Sequence, residues 1–229
     1  MIKYLLFCFS SLFAMEFHLF YEEGFYQSAN QTEYQAYLSL KKNPLGEHLH
    51  YLAVPWEYVI KNKLPMPSIK LKGGCTVCQY EDYESLIPEL KKIGIDTLFT
   101  PYAKKKQDLG MNVFPFPSFP QSERGSPEKV KVCSPIEIYD ALKSGTVPIV
   151  LDTIALPRHI SWDRCLLRVT KEQDLSHAAH SLSNKEIDRM RAYGEEVYYR
   201  YLTEDSFANV IRDAYATPAP SSAFTYRTF

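Results

Sequence analysis

The stretch from Val130 to Leu151 constrains the fold more than any other part of the chain. Val130 to Cys133 has the make-up of a strand. Ser134-Pro135-Ile136-Glu137 then reads as a helix start, with serine as N-cap, proline at the first helical position and glutamate closing a capping box. The helix carries Ile138, Tyr139 and Leu142 and stops at Gly145. Val147 to Leu151 follows as an unbroken apolar run, the kind of strand that parallel sheets cover on both faces. Strand, helix and strand in this order predict a βαβ unit, and with it an α/β fold.

The flanking sequence repeats this alternation. Phe17 to Tyr21, Leu49 to Val54, Cys75 to Gln79, Asp96 to Thr100 and Val113 to Phe116 read as strands. Between them, Thr32 to Lys42 predicts a helix ended by Asn43-Pro44, a short helix follows Pro55-Trp56 through Ile60, and Leu86, Leu90 and Ile93 share a face of a helix ended by Gly94. Pro88 either kinks that helix or begins its regular part. Lys61, Lys63, Lys70 and Lys72 mark an exposed basic loop. Beyond the βαβ unit, Trp162 to Val169 predicts a further strand. Ser183 and Glu186 form a second capping box, opening a helix with Ile187, Met190, Gly194, Val197 and Tyr201 on one face, and another helix from Thr203 carries Phe207, Val210, Ile211 and Ala214.

The Pro, Ser, Phe and Gly composition between Pro115 and Pro127 is the natural boundary. It divides the chain into an N-terminal Rossmann-like half at 15–120, a linker at 121–129, a C-terminal half at 130–216 and a disordered tail at 217–229. Residues 1–14 have the outline of a secretory signal, which would place the protein in an exported or secretory compartment; a buried first strand and a start at Met15 are the alternatives, with a cytoplasmic location. The apolar run ends at Glu16, short of the roughly 20 residues that a membrane span needs.

Composition bounds the function. Hydrophobic residues make up 45% and charged residues 23%, so a buried core can offset chain entropy. Twenty-six basic against 27 acidic side chains leave a net charge of -1, without the positive field that nucleic-acid binders use. Five scattered cysteines make no disulfide framework.

In open α/β sheets, ligands bind beyond the carboxyl ends of the strands, where helix N-termini present free N–H groups. Cys133, Ser134 and Asp152 fall on that rim, and Asp140, one turn into the helix, is placed to accept hydrogen bonds from a ribose. Several other groups carry weaker signals. Cys75-Thr76-Val77-Cys78 has redox spacing, but on a strand its two thiols point to opposite faces, away from the helix N-terminus that would activate them. Asp174, His177 and His180, at spacings of three, could line one helix face as metal ligands, yet two histidines on a polar helix are usually just solvated. His48 and His50 flank a strand start. Lys104, Lys105 and Lys106 read as a solvated loop, with phosphate attraction as the alternative.

The segment Ile136 to Val150, followed by Leu156-Pro157 and Ile160-Ser161-Trp162, resembles the nucleotide-sugar-binding region of exostosin-like (family 47-type) glycosyltransferases. In that family a helix ending in acidic-Ala-Leu, here Asp140-Ala141-Leu142, leads through a Gly-Cys-Ile-Pro-Val strand, here Gly145-Thr146-Val147-Pro148-Ile149, to Leu-Pro and Ile-x-Trp. The match covers Cys133 to Val169; Tyr51 to Tyr58 and Cys75 to Tyr102 are similar to the family's N-terminal half with less specificity. The resemblance implies a truncated GT-B architecture of two Rossmann-like lobes. It implies transfer of a sugar from a nucleotide sugar to a glycan or similar acceptor, with Asp140 as ribose contact beside Cys133, Ser134 and Glu137. The donor is itself the substrate, so no cofactor or metal is implied. A carboxylate general base is expected, with Asp152 and Glu57 as candidates. Two departures favour the alternative of a non-catalytic, degenerate member that binds glycan or protein: the family's Cys-Pro-x-Gly loop is missing ahead of the helix, and Glu137 stands where a basic residue is usual.

Overall fold

The computed structural model describes residues 15–20, 32–45, 49–105, 108–118 and 128–216. The signal-like segment, His48, Lys106, most of the linker and the tail lie outside the described residues.

The first half is one sheet with helices on both faces. Strands β1 (Glu16–Leu19), β2 (His50–Ala53), β3 (Gly74–Val77), β4 (Thr97–Thr100) and β5 (Asn112–Pro115) are all parallel and lie in that order. Side chains alternate across it. Tyr51, Ala53, Cys75, Val77 and Phe99 enter one core with Tyr34, Tyr37 and Leu40 of α1 (Thr32–Lys42). Leu52 and Leu98 enter the other, with Trp56 and Val59 of α2 (Trp56–Lys61) and Leu90 and Ile93 of α3 (Ile87–Ile93). A single 3-10 turn, Tyr83–Leu86, precedes α3, and Pro88 sits in the first turn of the regular helix, where its missing N–H has no partner to lose.

Gly94 caps α3 in the left-handed region at φ 92°. A Cβ there would meet the Leu71 carbonyl oxygen at 2.0 Å. The same approach anchors the basic segment after α2, whose lysines at 61, 63, 70 and 72 are exposed as expected. Between them Leu64, Met66, Ile69 and Leu71 lay their apolar side chains against the core, and Leu71 donates its N–H to the Ile93 carbonyl at 2.7 Å.

The second half is a smaller parallel sheet, β6 (Val130–Val132), β7 (Val147–Leu151) and β8 (Leu167–Val169), in that order. The predicted βαβ unit is present, with α4 (Glu137–Ser144) crossing from β6 to β7. The expected strand over Trp162 to Val169 is regular only in its last three residues. Trp162–Arg164 is a 3-10 turn, because the buried Trp162 ring packs edge-on against Tyr139 and its Nε1 donates to the Pro157 carbonyl at 2.7 Å.

Helices α5 (Leu175–Ser181), α6 (Asn184–Tyr201) and α7 (Phe207–Ala216) follow, the last of the described elements. The Ser183–Glu186 capping box opens α6 with both reciprocal hydrogen bonds. Gly194 lets α6 press on α4, since a Cβ there would lie 2.9 Å from a Leu142 methyl. Helix α7 then returns to the first half: Phe207, Ala208, Val210 and Ile211 are buried with α1, and the Ala208 N–H donates to Ser39 Oγ at 3.2 Å. The whole is a mixed α/β fold of parallel sheets flanked by helices, a generic Rossmann-like arrangement.

Candidate functional site

The carboxyl ends of β6 and β7 form the rim on which the sequence places its binding residues. Both rim positions are fixed by continuation of the ladder: the Cys133 N–H donates to the Ile149 carbonyl at 2.9 Å, and the Asp152 N–H to the Val169 carbonyl at 2.8 Å. Cys133 is buried, and burial pushes its thiol up to about 12.

Ser134 and Glu137 are joined, although not as a complete capping box. Glu137 Oε2 accepts from the Ser134 N–H at 2.9 Å and from Ser134 Oγ at 2.7 Å, so the hydroxyl donates to the carboxylate instead of accepting from the helix. The regular helix begins at Glu137, with Pro135 and Ile136 in a turn ahead of it. The other carboxylate oxygen takes Lys131 Nζ at 2.9 Å. The lysine contact first, and then the two Ser134 bonds, hold the Glu137 carboxyl down at about 2. The reversed charge at this position is therefore neutralised locally.

Asp140 lies on the first turn of α4. Among the described residues its Oδ1 is the one buried side-chain oxygen or nitrogen with no hydrogen-bond partner. An unpaired buried acceptor costs about 1–3 kcal/mol, so a donor brought to it is favoured.

Asp152 faces the other half of the molecule. Its Oδ1 takes Lys105 Nζ at 2.6 Å and lies 3.8 Å from Arg168. Around this pair the Lys105 N–H donates to the Thr153 carbonyl at 3.1 Å, the Ala155 N–H to Ala103 at 3.0 Å, and Lys104 bridges to Ile154. Lys104 also pairs with Glu84 at 2.9 Å. These two lysines are exposed, as a solvated loop requires, and each also pairs with a carboxylate. They bring the loop after β4 against the loop after β7, so the carboxyl ends of the two sheets meet.

On the first sheet Glu57, in the first turn of α2, pairs with Lys61 one turn on. Sequence reasoning missed Glu33, in the first turn of α1, which is buried to 3% exposure. Its Oε1 accepts the Gln79 N–H just past the carboxyl end of β3 at 3.0 Å. Burial pushes its carboxyl up to about 7, against the lowering effect of that bond. A glutamate after threonine at a helix start reads as an ordinary first-turn carboxylate, and only the tertiary placement distinguishes it.

The remaining patterns do not assemble. Cys75 and Cys78 enter opposite cores, as strand alternation requires, and burial raises both thiols. Asp174 ends a 3-10 turn, while His177 and His180 lie exposed on α5, and they form no ligand cluster. No described helix is long and apolar enough to cross a membrane. Comparison with known proteins finds no family model and no curated protein that matches the chain.

Proposed function

We propose that the chain binds a nucleotide sugar at the carboxyl rim of β6 and β7 and transfers its sugar to a glycan or similar acceptor, in the manner of a shortened, GT-B-like exostosin relative. The observation that carries this reading is the orphaned Asp140 Oδ1 on the first turn of α4. A ribose hydroxyl is a donor of the kind that this oxygen lacks. Further support comes from the meeting of the two carboxyl edges at Lys105 and Asp152, which brings residues of both halves together at the rim. Asp152 and Glu57 are the rim carboxylates available as general base, each held by a lysine that an incoming substrate would have to displace.

One observation favours the second reading, a non-catalytic glycan- or protein-binding module. Glu137 keeps a carboxylate at the helix start where a diphosphate would approach, and Lys131, the cation nearest to it, is already bound to that carboxylate. The two readings separate in a calorimetric titration with UDP, GDP and their sugars, on the native chain and on Asp140→Ala. Saturable binding of one nucleotide that falls at least about tenfold in the variant, with circular dichroism unchanged, supports donor binding. No binding by the folded native chain supports the module.

A further inference from the structure

Far from this rim, at the amino ends of the first two strands, three metal-ligand side chains converge. Glu16 and His50 are register partners across the parallel β1–β2 pair, and His18, two residues along β1, shares the face of Glu16. His18 Nε2 lies 3.3 Å from His50 Nδ1, and Glu16 Oε2 lies 3.2 Å from His50 Nδ1 and 3.8 Å from His18 Nε2. The two imidazoles are stacked at 5.6 Å with 27° between their planes. Among the described residues this is the one group of three His, Cys, Asp or Glu side chains with ligand atoms so close together.

We propose that Glu16, His18 and His50 bind a divalent transition-metal ion of the zinc class, tying the edge strand β1 to β2. A tetrahedral ion with bonds of about 2.0–2.1 Å sets its ligand atoms about 3.3 Å apart, and two of the three separations here already have that value. Two imidazoles with one carboxylate is a donor set suited to zinc and its neighbours, and unsuited to magnesium or calcium, which take oxygen.

Hydrogen bonding alone serves the cluster poorly. The carboxylate brings no proton, and with both imidazoles neutral a single N–H on His50 Nδ1 has to face Glu16 and His18 together. If that proton sits on His18 Nε2 instead, two acceptors, Glu16 Oε2 and His50 Nδ1, face each other at 3.2 Å. A cation satisfies all three lone pairs. The way in is open: the Glu16 side chain is 65% exposed, against 26% for His18 and 21% for His50. A fourth position facing solvent can be filled by water.

The site stands at the opposite end of the strands from the carboxyl rim, so it acts on the sheet and does not depend on the nucleotide-sugar reading. β1 is a four-residue edge strand, paired on one side only, with β2.

The test is a titration of the chelator-treated full chain with Zn2+ by calorimetry and with Co2+ by visible absorption. One equivalent of either ion binds the native chain, and cobalt gives the intense d–d bands of low-coordinate N/O ligation. His18→Ala and His50→Ala each lose the bands and weaken Zn2+ at least about tenfold, while His177→Ala with His180→Ala on exposed α5 changes neither. Glu16→Gln alters only an exposed side chain and keeps the test usable should the histidine variants unfold; it also weakens Zn2+. Absence of one-equivalent binding by the native chain overturns the proposal, and so does binding that survives all three substitutions; the histidine pair is then a packing contact only.

Discussion

Lys105 and Asp152 are ion-paired at 2.6 Å across the boundary between the two sheets, with the Lys105 N–H held by the Thr153 carbonyl. The side chains are 34% and 47% exposed, so water screens the pair and its contribution is under about 1 kcal/mol. The backbone bonds at 103–105 and 153–155, with the burial of α7, carry the junction. A double-mutant cycle of Lys105→Met and Asp152→Asn, read by urea unfolding, is expected to give a coupling within about 1 kcal/mol. A coupling above about 2 kcal/mol would make the ion pair the clamp instead.

Thr76 is the opposite case, a hydroxyl with no exposure at all. Its Oγ1 accepts from Trp56 Nε1 at 2.9 Å and donates to the Leu52 carbonyl at 2.7 Å, linking α2, β3 and the strand beside it. Thr76→Val keeps the shape but leaves the indole N–H and a carbonyl unpaired, with an expected loss of about 2–4 kcal/mol. Adding Trp56→Phe removes one of the two orphans. The double variant should therefore lose less than the sum of the two single changes in the same urea titration.

Much of the fold was legible because its signals are local. The helix Thr32–Lys42, the Ser183–Glu186 box, the glycine stop at Gly94 and the apolar run Val147–Leu151 depend on side chains within one or two turns. The misreadings arose where side-chain contacts decide. Trp162 turns because of Pro157 and Tyr139, and Ser134 fails to cap α4 because its hydroxyl donates to Glu137. At the rim, the sequence located Ser134, Glu137 and Asp140 on the right turn. It carried no sign that Ser134 donates to Glu137 or that Asp140 Oδ1 has no donor, because both depend on which backbone groups α4 leaves in reach.

Glu33 makes stability depend on pH in a defined window. Its carboxyl stands at about 7 in the fold against an ordinary 4.5, so the native state favours the protonated form. The stability that this contributes is fully present below pH 4.5, is lost as the pH rises through about 7, and above that the fold holds a buried carboxylate. Glu33→Gln retains an acceptor for the Gln79 N–H and removes the titration. The variant should gain on the native chain between pH 5 and pH 8 by about 2–3 kcal/mol, measured by urea unfolding at both ends. Parallel profiles would show that Glu33 ionises as an exposed carboxyl does.

Gly94→Ala tests the capping geometry. The positive φ alone disfavours alanine by about 1 kcal/mol, and the added Cβ must also displace the Leu71 carbonyl, whose residue closes the apolar segment over the core. A loss of about 2–4 kcal/mol is expected, well above that of an exposed helix substitution. A second readout separates strain from cap loss: faster amide exchange at Leu71, bonded to the Ile93 carbonyl, marks a displaced segment, whereas unchanged exchange there confines the cost to the helix end.

The Cys75 and Cys78 thiols should be inert in the folded chain, although their spacing is that of a redox pair. Strand β3 sends Cys75 into the core under α1 and leaves Cys78, just past its end, in the core under α2 and α3, so a bridge between them would require the sheet to be breached. Burial pushes Cys75 up to about 12 and Cys78 well above the usual thiol range, which leaves almost no thiolate at neutral pH. Cys133 and Cys165 are buried as well. In a Cys8→Ser background, Ellman's reagent at pH 8 should therefore label no cysteine until urea unfolds the chain, with labelling following the unfolding curve. Rapid reaction of Cys75 or Cys78 without denaturant would mean that one face of the sheet opens, and would return the Cys75–Cys78 motif to consideration as a redox centre.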